Sequence, residues 1–483
     1  MQIQHQEKKP NESVNIRIYV LCHTQERLTT ACKMYNQYSW AIPILMKYQD
    51  CTFENAFWKQ LLEIKDEWWK CDMVGTISCT AHTKVNIANI DSILRDRKKW
   101  SSGYYNFFDT NKPIANEYHP HLLHIIDDVC ASIYLTKPTV AYCNYWMCTP
   151  FKMLQFIPWV LDTLIPAVKG HPLSMENSKY PIRHKDTHLV QLCGVPYYPH
   201  IPFVIERLNK GFFMQASIAV VSVFKNEAHI LAEWIEHYSK EGVSCFFLID
   251  NGSTDAYLPI LQPYIDKGIV VLRIDPVRHK QVEHLNAFLD KVKQFDWIIP
   301  VDLDEFVYAR KDFRTIRHYL QSVDRAIGKI SIPWKMFGSN GHRTQPASVT
   351  QGFTRRMDTT IAKKIEHKTL VRSSVLISFS IHNHHTKPCT HICMDRQTTG
   401  DGPFSFISDH ILANSPLHLN HYAIQSWEFF STVKMTRGAA DTIQHEHVRN
   451  EQYFNRYDHN DIEDTELQEK HKGKCDAAVA TKV

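Results

Sequence analysis

Between residues 218 and 301 apolar runs and amphipathic stretches alternate without a gap, and no other feature of the 483-residue chain limits its fold as tightly. The apolar run 218–223 is followed by 227–241, in which Ile230, Leu231, Trp234, Ile235 and Tyr238 recur at helical spacing. Strand 245–249, helix 255–266, strand 269–274, helix 279–295 and strand 297–301 come next. The last of these helices lines up Val282, Leu285, Phe288, Leu289, Val292 and Phe295 on one face. This βαβαβαβ order predicts an α/β fold with a mainly parallel sheet, right-handed crossovers and helices on both faces. Ligands of such sheets bind beyond the carboxyl ends of the strands.

Unusual polar residues stand at those ends. Lys225, Asn226 and Glu227 follow the first strand, Asp250 and Asn251 the second, and Asp302, Asp304 and Glu305 the fourth. A divalent cation is the simplest partner for three carboxylates in four residues after an apolar strand, and hard oxygen ligands suit Mg²⁺ or Mn²⁺. The other reading is an acidic strand-end loop in water. Pro300 removes a ladder donor, so the strand is expected to bulge or end early there. Asp250 either accepts hydrogen bonds from a nucleoside base or ribose, or belongs to a turn in which Asn251-Gly252 bend the chain and Ser253 or Thr254 caps the next helix. Neither GxGxxG nor a Walker A loop is present, so side chains and metal, rather than a glycine nest, are expected to hold a nucleotide.

The stretch VVSVFKNEAHILAEWIEHY, then LIDNGSTD, then Arg278 with Gln281 and Asn286, then DLDEF, then HYAIQSWEFFSTVKMTRG resembles the family 92 glycosyltransferases and related family-2-like enzymes over roughly residues 216–470. The resemblance implies a GT-A (Rossmann-like) fold, inversion at the anomeric carbon, a UDP- or GDP-sugar donor and a glycan or glycoconjugate acceptor. It places Asp302 and Asp304 on Mn²⁺ (or Mg²⁺) and the diphosphate, Asp250 on the nucleoside, and Arg278, Gln281 and Asn286 in the donor pocket, with Lys225, Asn226 and Glu227 beside them. A late histidine completes the metal shell in several GT-A enzymes. His421 fits that role, His382, His384 and His385 compete for it, and a core or surface position is the alternative. Lys434 and Arg437 either face the diphosphate from one side of a helix or form a solvated basic face. The segment 334–342 resembles the family's acceptor side and marks Trp334, Gly338, Asn340 and His342. It carries no carboxylate, so the acceptor base stays open among Asp304, Glu305, Glu366 and Asp441.

The first half says less. A strand at 16–21, helices at 27–38 and 151–164, a loop at 195–202 and a polar boundary segment at 206–211 are expected. Cys22-His23-Thr24 after that strand, residues 68–75 and residues 144–148 resemble another, uncharacterised glycosyltransferase-like family. Two transferase-like domains in tandem would follow, as in some multidomain viral and bacterial glycan-building enzymes. The first would be metal-independent, degenerate or a scaffold for the acceptor. Asp127-Asp128 falls in an expected helix, 121–134, as an exposed pair.

A chain of this length calls for two domains. The expected division is a polar tail 1–12, an α/β domain 13–211, a GT-A domain 212–470 and a tail 471–483. A formal charge of +4 without a basic block argues against nucleic acid. Thirteen scattered cysteines without a CxxC pair read as reduced thiols. Neither a signal-peptide pattern nor ~18 continuous apolar residues occur, so a cytoplasmic protein without a transmembrane segment is expected. A nucleotidyltransferase, the rival enzyme class, usually has a glycine-rich loop after its first strand, which this chain lacks. The other rival, a binding module without turnover, is opposed in the second half by the intact Asp250, Asp302 and Asp304.

Overall fold

The computed structural model describes residues 14–100, 103–108, 119–133, 135, 143–181, 186–361, 365–394, 404–405, 407–437 and 447–472. The expected tail 1–12, Asp441 and nearly all of 471–483 lie outside them. Two compact units result, Met1–Gln215 and Ala216–Val483. The division falls later than 211/212 because 206–211, read as a boundary segment, belongs to the helix Ile201–Met214. That helix buries Val204, Ile205 and Leu208 in the core of the first unit.

In the first unit β1 (Ile16–Cys22), β2 (Ala41–Leu45), β3 (Met73–Ser78), β4 (Tyr104–Asn106) and β5 (Trp146–Cys148) form a sheet in the order β2-β1-β3-β5-β4. Pairing is parallel across β2-β1-β3 and antiparallel through β5 and β4. At Gly75 in β3 a Cβ would lie 2.2 Å from the Trp146 carbonyl oxygen, so only glycine lets β3 and β5 approach. The helical run Pro150–Gly170 is long and apolar enough by composition to cross a membrane. Met153, Phe156, Ile157, Val160 and Leu164 nevertheless pack into the core of this unit, as in a core helix. It widens to a π turn over Val160–Leu164, just after Pro158 removes an N–H from the ladder. Asp127 and Asp128 do lie exposed on the helix Leu122–Ser132, with Asp128 3.1 Å from His171.

The second unit is built on β6 (Ile218–Phe224), β7 (Cys245–Asp250), β8 (Val270–Ile274), β9 (Trp297–Pro300), β10 (Glu305–Ala309) and β11 (Ile327–Met336), with strands Ile365–Arg372 and Leu417–His421. The order β9-β6-β7-β8 is parallel throughout. Beyond β9 the sheet continues through Ile365–Arg372, β11, Leu417–His421 and β10 with mixed polarity. The helix Ala228–Lys240 buries all five residues of its expected face, and β9 ends on Pro300. Helix 279–295 is instead two short helices, Gln281–Asn286 and Leu289–Val292. Asn286 accounts for the break. Its amide donates to the Phe379 carbonyl at 3.0 Å and its carbonyl accepts from the Phe379 N–H at 2.9 Å, which ties this point to a distant segment. Leu285, Phe288, Val292 and Phe295 stay buried across the break, so the apolar face survives it.

The last described segment is latched onto the sheet by buried charge. Lys335, at the end of β11, donates to Asp464 at 2.9 Å and to the Tyr308 hydroxyl at 2.8 Å. Asp464 also accepts from Arg356 at 2.8 Å, and Glu466 accepts from Arg310 at 2.6 Å. Burial would push the Asp464 carboxyl up, but Lys335 and Arg356 outweigh it and hold it below the usual range. Removing one partner of a buried pair strands the other, so Asp464→Ala should destabilise the protein by about 3–5 kcal/mol in urea denaturation at pH 7. The Asp464 contribution should be full above an unfolded pKa of about 3.9 and be lost as pH falls through the lower folded value, so the two proteins should converge in acid.

Candidate active site

A cavity of about 290 Å³ opens at the carboxyl edge of the parallel strands, entirely within the second unit. The turn after β6 brings Lys225 and Glu227 to its wall, and the turn after β9 brings Asp302 and Asp304. Arg278 reaches it from the segment before the broken helix, Gln281 from the first turn of that helix, and Trp334 from β11. His421 ends the strand Leu417–His421. Lys434 and Arg437 follow from a helix whose π turn, Phe430–Lys434, points both side chains inward. These ten residues were all singled out in the sequence, and Asn251, Glu366 and His382 join them on the same wall.

Asp302 is fully engaged. Its Oδ1 accepts from Gln281 Nε2 at 3.1 Å and its Oδ2 from Lys368 Nζ at 2.9 Å. Lys368 also stands 3.5 Å from Glu305 Oε2. Asp304 gives Oδ2 to the Lys434 ammonium, whereas Oδ1 lies 3.6 Å from His421 Nε2 and has no hydrogen-bond partner among the described residues. Burial would raise the Asp304 carboxyl, but Lys434 and His421 hold it well below the usual carboxylate range. Glu227 closes the circuit. It accepts from Arg437 Nη2 at 2.9 Å and lies 3.7 Å from Lys434. Arg437 also donates to the Lys225 carbonyl at 2.8 Å, and Arg278 donates to the Arg437 carbonyl at 3.2 Å.

Other expected residues do structural work away from the cavity. Asp250, the last residue of β7, is buried and holds the turn that follows, accepting from the Ser253 N–H at 2.8 Å and the Tyr257 hydroxyl at 2.9 Å. Its neighbour Asn251 lines the cavity instead. Asn226, at φ 54°, accepts from the Thr254 N–H at 2.7 Å and so joins the first two strand ends. Asn286 is held by Phe379, as described. At Gly338 a Cβ would meet the His459 carbonyl at 2.4 Å. Asn340 binds the Arg355 N–H at 3.0 Å, and His342 sits 3.1 Å from the Gly352 carbonyl. Of the four acceptor-side residues only Trp334 reaches the cavity, with its ring 4.2 Å from that of His421.

Among the competing histidines His384 is spent on the Thr369 carbonyl at 3.1 Å, and His385 is exposed. His382 lines the cavity beside Glu366 rather than Asp304. Glu305 is fully buried, and burial, opposed by Lys368, pushes its carboxyl up to about 7. The sequence reading missed Lys368, Tyr453 and Tyr457. A lysine inside the strand Ile365–Arg372 was a usable signal, as were two tyrosines at i and i+4 of the helix Glu451–Tyr457.

Asp304 Oδ1 and His421 Nε2 are an unsatisfied oxygen and an imidazole nitrogen at a separation that one cation can bridge, and they fit a divalent ion. They are few. No group of three or more His, Cys, Asp or Glu placed to hold a metal occurs among the described residues. Ions bound by one or two protein groups normally take their remaining ligands from water and substrate phosphates.

A parallel α/β unit with paired carboxylates and cations at its ligand edge defines the class of protein. Residues 216–471, more than half of the chain, match the model of glycosyltransferase family 92, and the chain belongs to that family. It is 27% identical over 238 residues to a family 92 protein of Oryza sativa subsp. japonica, covering 47% of this chain and 37% of that one. With a family 92 protein of Arabidopsis thaliana the identity is 24% over 260 residues, 51% of this chain and 42% of that one. The chain thus spans about two fifths of the length of the curated plant relatives it matches. Solved structures with local similarity include S. aureus TarS (15% identical, 37% of this chain and 60% of that chain, TM-score 0.24). Another is GalNAc-T7 with UDP, GalNAc and Mn²⁺ (16%, 33% and 35%, TM-score 0.22).

Lys368 is the only cation within 4.0 Å of Asp302 among the described residues. Lys368→Met should therefore destabilise the protein by about 3–5 kcal/mol at pH 7.5. The deficit should shrink at pH 5, because protonating the stranded carboxylates Asp302 and Glu305 removes the unpaired charge. Chemical denaturation at the two pH values reads both effects.

Proposed function

We propose that the second unit transfers a sugar from a nucleotide-diphosphate donor, a UDP- or GDP-sugar, to a hydroxyl of a glycan or glycoconjugate, with inversion and with the help of Mn²⁺ or Mg²⁺. The observation that carries this reading is the unpartnered Asp304 oxygen beside His421, in the same cavity as Lys225, Arg278, Lys434 and Arg437. Asp304 and His421 would hold the cation, which supplies Lewis-acid stabilisation of the departing diphosphate. Lys434 and Arg437 bind the diphosphate, and Glu227 holds both cations in place before the donor arrives. Gln281 and Lys368 fix Asp302 at the rim. Trp334 offers an apolar face to the acceptor side. Membership of family 92 supports the transferase class.

For the first unit we favour a scaffold that helps hold the acceptor, since no DxD follows its strands and the family match begins at residue 216. A second active transferase, which would make the chain bifunctional, is the alternative. Cytoplasmic residence remains part of the proposal.

Incubation of the full chain with UDP-glucose, UDP-galactose and GDP-mannose, with Mn²⁺ or EDTA, tests the reading. Nucleoside diphosphate should be released with at least one donor, and EDTA should abolish release. Asp304→Ala should lower the rate per folded molecule by at least about 100-fold, the usual scale for losing one electrostatic stabiliser, with the folded fraction read by circular dichroism because the change also strands the buried Lys434. Undiminished turnover in EDTA would remove the metal from the account.

A further inference from the structure

All but one of the carboxylates on the cavity wall are tied to cations. Glu227 holds Arg437, Asp302 holds Lys368, and Asp304 holds Lys434. Glu366 is the exception. Its one neighbour at ion-pair range among the described residues is His382 Nε2, 3.8 Å from its Oε2. Burial, helped by Lys368, lowers the His382 imidazole to about 4, so it is neutral at pH 7 and forms no ion pair with Glu366. The Glu366 side chain is 38% exposed, open to a ligand in the cavity.

Strand register puts this carboxylate at the reacting edge. Ile365–Arg372 runs antiparallel to β9, pairing Val371 with Ile298 and Arg372 with Trp297. Its Glu366 end therefore extends past the carboxyl end of β9, where Asp302 and Asp304 stand. Lys368, two residues on, projects from the same face of the strand. Its ammonium is spent on Asp302 and Glu305. The groups that act on Glu366 are His382, His421 and Lys368, together with Tyr453 and Tyr457 of the helix Glu451–Tyr457. Burial raises the Glu366 carboxyl against the pull of His421 and Lys368, which moves it toward the range in which a carboxylate accepts a proton efficiently.

We propose that Glu366 is the general base that takes the proton from the acceptor hydroxyl. This rests on the transferase reading above and adds the residue which that reading leaves unassigned. The acceptor O–H proton passes to a Glu366 oxygen as the acceptor oxygen's electron pair forms the new bond to the anomeric carbon. The bond from that carbon to the diphosphate oxygen breaks, and its electron pair leaves with the nucleoside diphosphate. Glu366 then returns the proton to solvent.

The test uses the full chain, with the donor that gives turnover and water as the acceptor. Glu366→Gln should lower kcat by about 10²–10⁴-fold, the usual contribution of a general base. UDP or GDP binding measured by calorimetry should remain unchanged, which also reports that the variant is folded. Glu366→Asp should keep a measurable rate and the acid limb of the wild-type pH profile, whereas Glu366→Gln should lose that limb. Azide needs no deprotonation, so it should yield a glycosyl azide with Glu366→Ala faster than that variant hydrolyses the donor. A Glu366→Gln rate within about threefold of wild type, or an unchanged acid limb, overturns the base assignment alone. Absence of turnover in the wild-type chain overturns the transferase reading, and this assignment with it.

Discussion

The second unit depends on how negative charge is tolerated at the end of β9. Asp302, Asp304 and Glu305 follow a fully buried strand, and three carboxylates there would repel one another and resist burial. Two lysines from distant parts of the chain solve the problem. Lys368 enters from the antiparallel part of the sheet and spans Asp302 and Glu305, while Lys434 comes from the π turn near the end of the unit and takes Asp304. The parallel and antiparallel parts are thereby joined across the ligand edge as well as through the sheet. Two oxygens of the three carboxylates lack a hydrogen-bond partner among the described residues, Asp304 Oδ1 and Glu305 Oε1, and the first of them lies beside His421 on the cavity wall.

Much of this was legible in the sequence. The parallel strands announced themselves by alternation, since each is buried on both faces and reads as an unbroken apolar run. Their ends pointed to Lys225, Glu227, Asp302 and Asp304 because polar residues directly after such runs have few structural excuses. Asp250 shows the limit of that argument. The Asn-Gly-Ser sequence that follows it was itself a turn signal, and the turn is what Asp250 serves. Helix 279–295 shows another limit. Apolar periodicity survives a break that keeps the same face inward, and the break comes from Asn286 bonding to Phe379, a partner 93 residues away. Gly338, Asn340 and His342, expected on the acceptor side, lie off the cavity wall, where Arg355, Gly352 and the region around His459 engage them. Lys368 was missed because its meaning lies in tertiary partners alone.

The two units differ in kind. The first has a parallel β2-β1-β3 core, and its acidic helical pair, Asp127 and Asp128, faces outward. Family membership rests on residues 216–471. Within that span Glu227 already holds Lys434 and Arg437, so an anion bound there would exchange partners with Glu227 rather than bring new charge together. Binding by exchange costs less reorganisation than ordering free side chains.

Anomalous diffraction from crystals of the full chain grown with Mn²⁺ and UDP tests the central claim most directly. The account predicts one strong manganese peak within bonding distance of Asp304 and His421, with diphosphate oxygens completing its shell and Lys434 shifted toward the phosphates. UDP seated in the cavity with no manganese at Asp304, or manganese bound elsewhere, would contradict it.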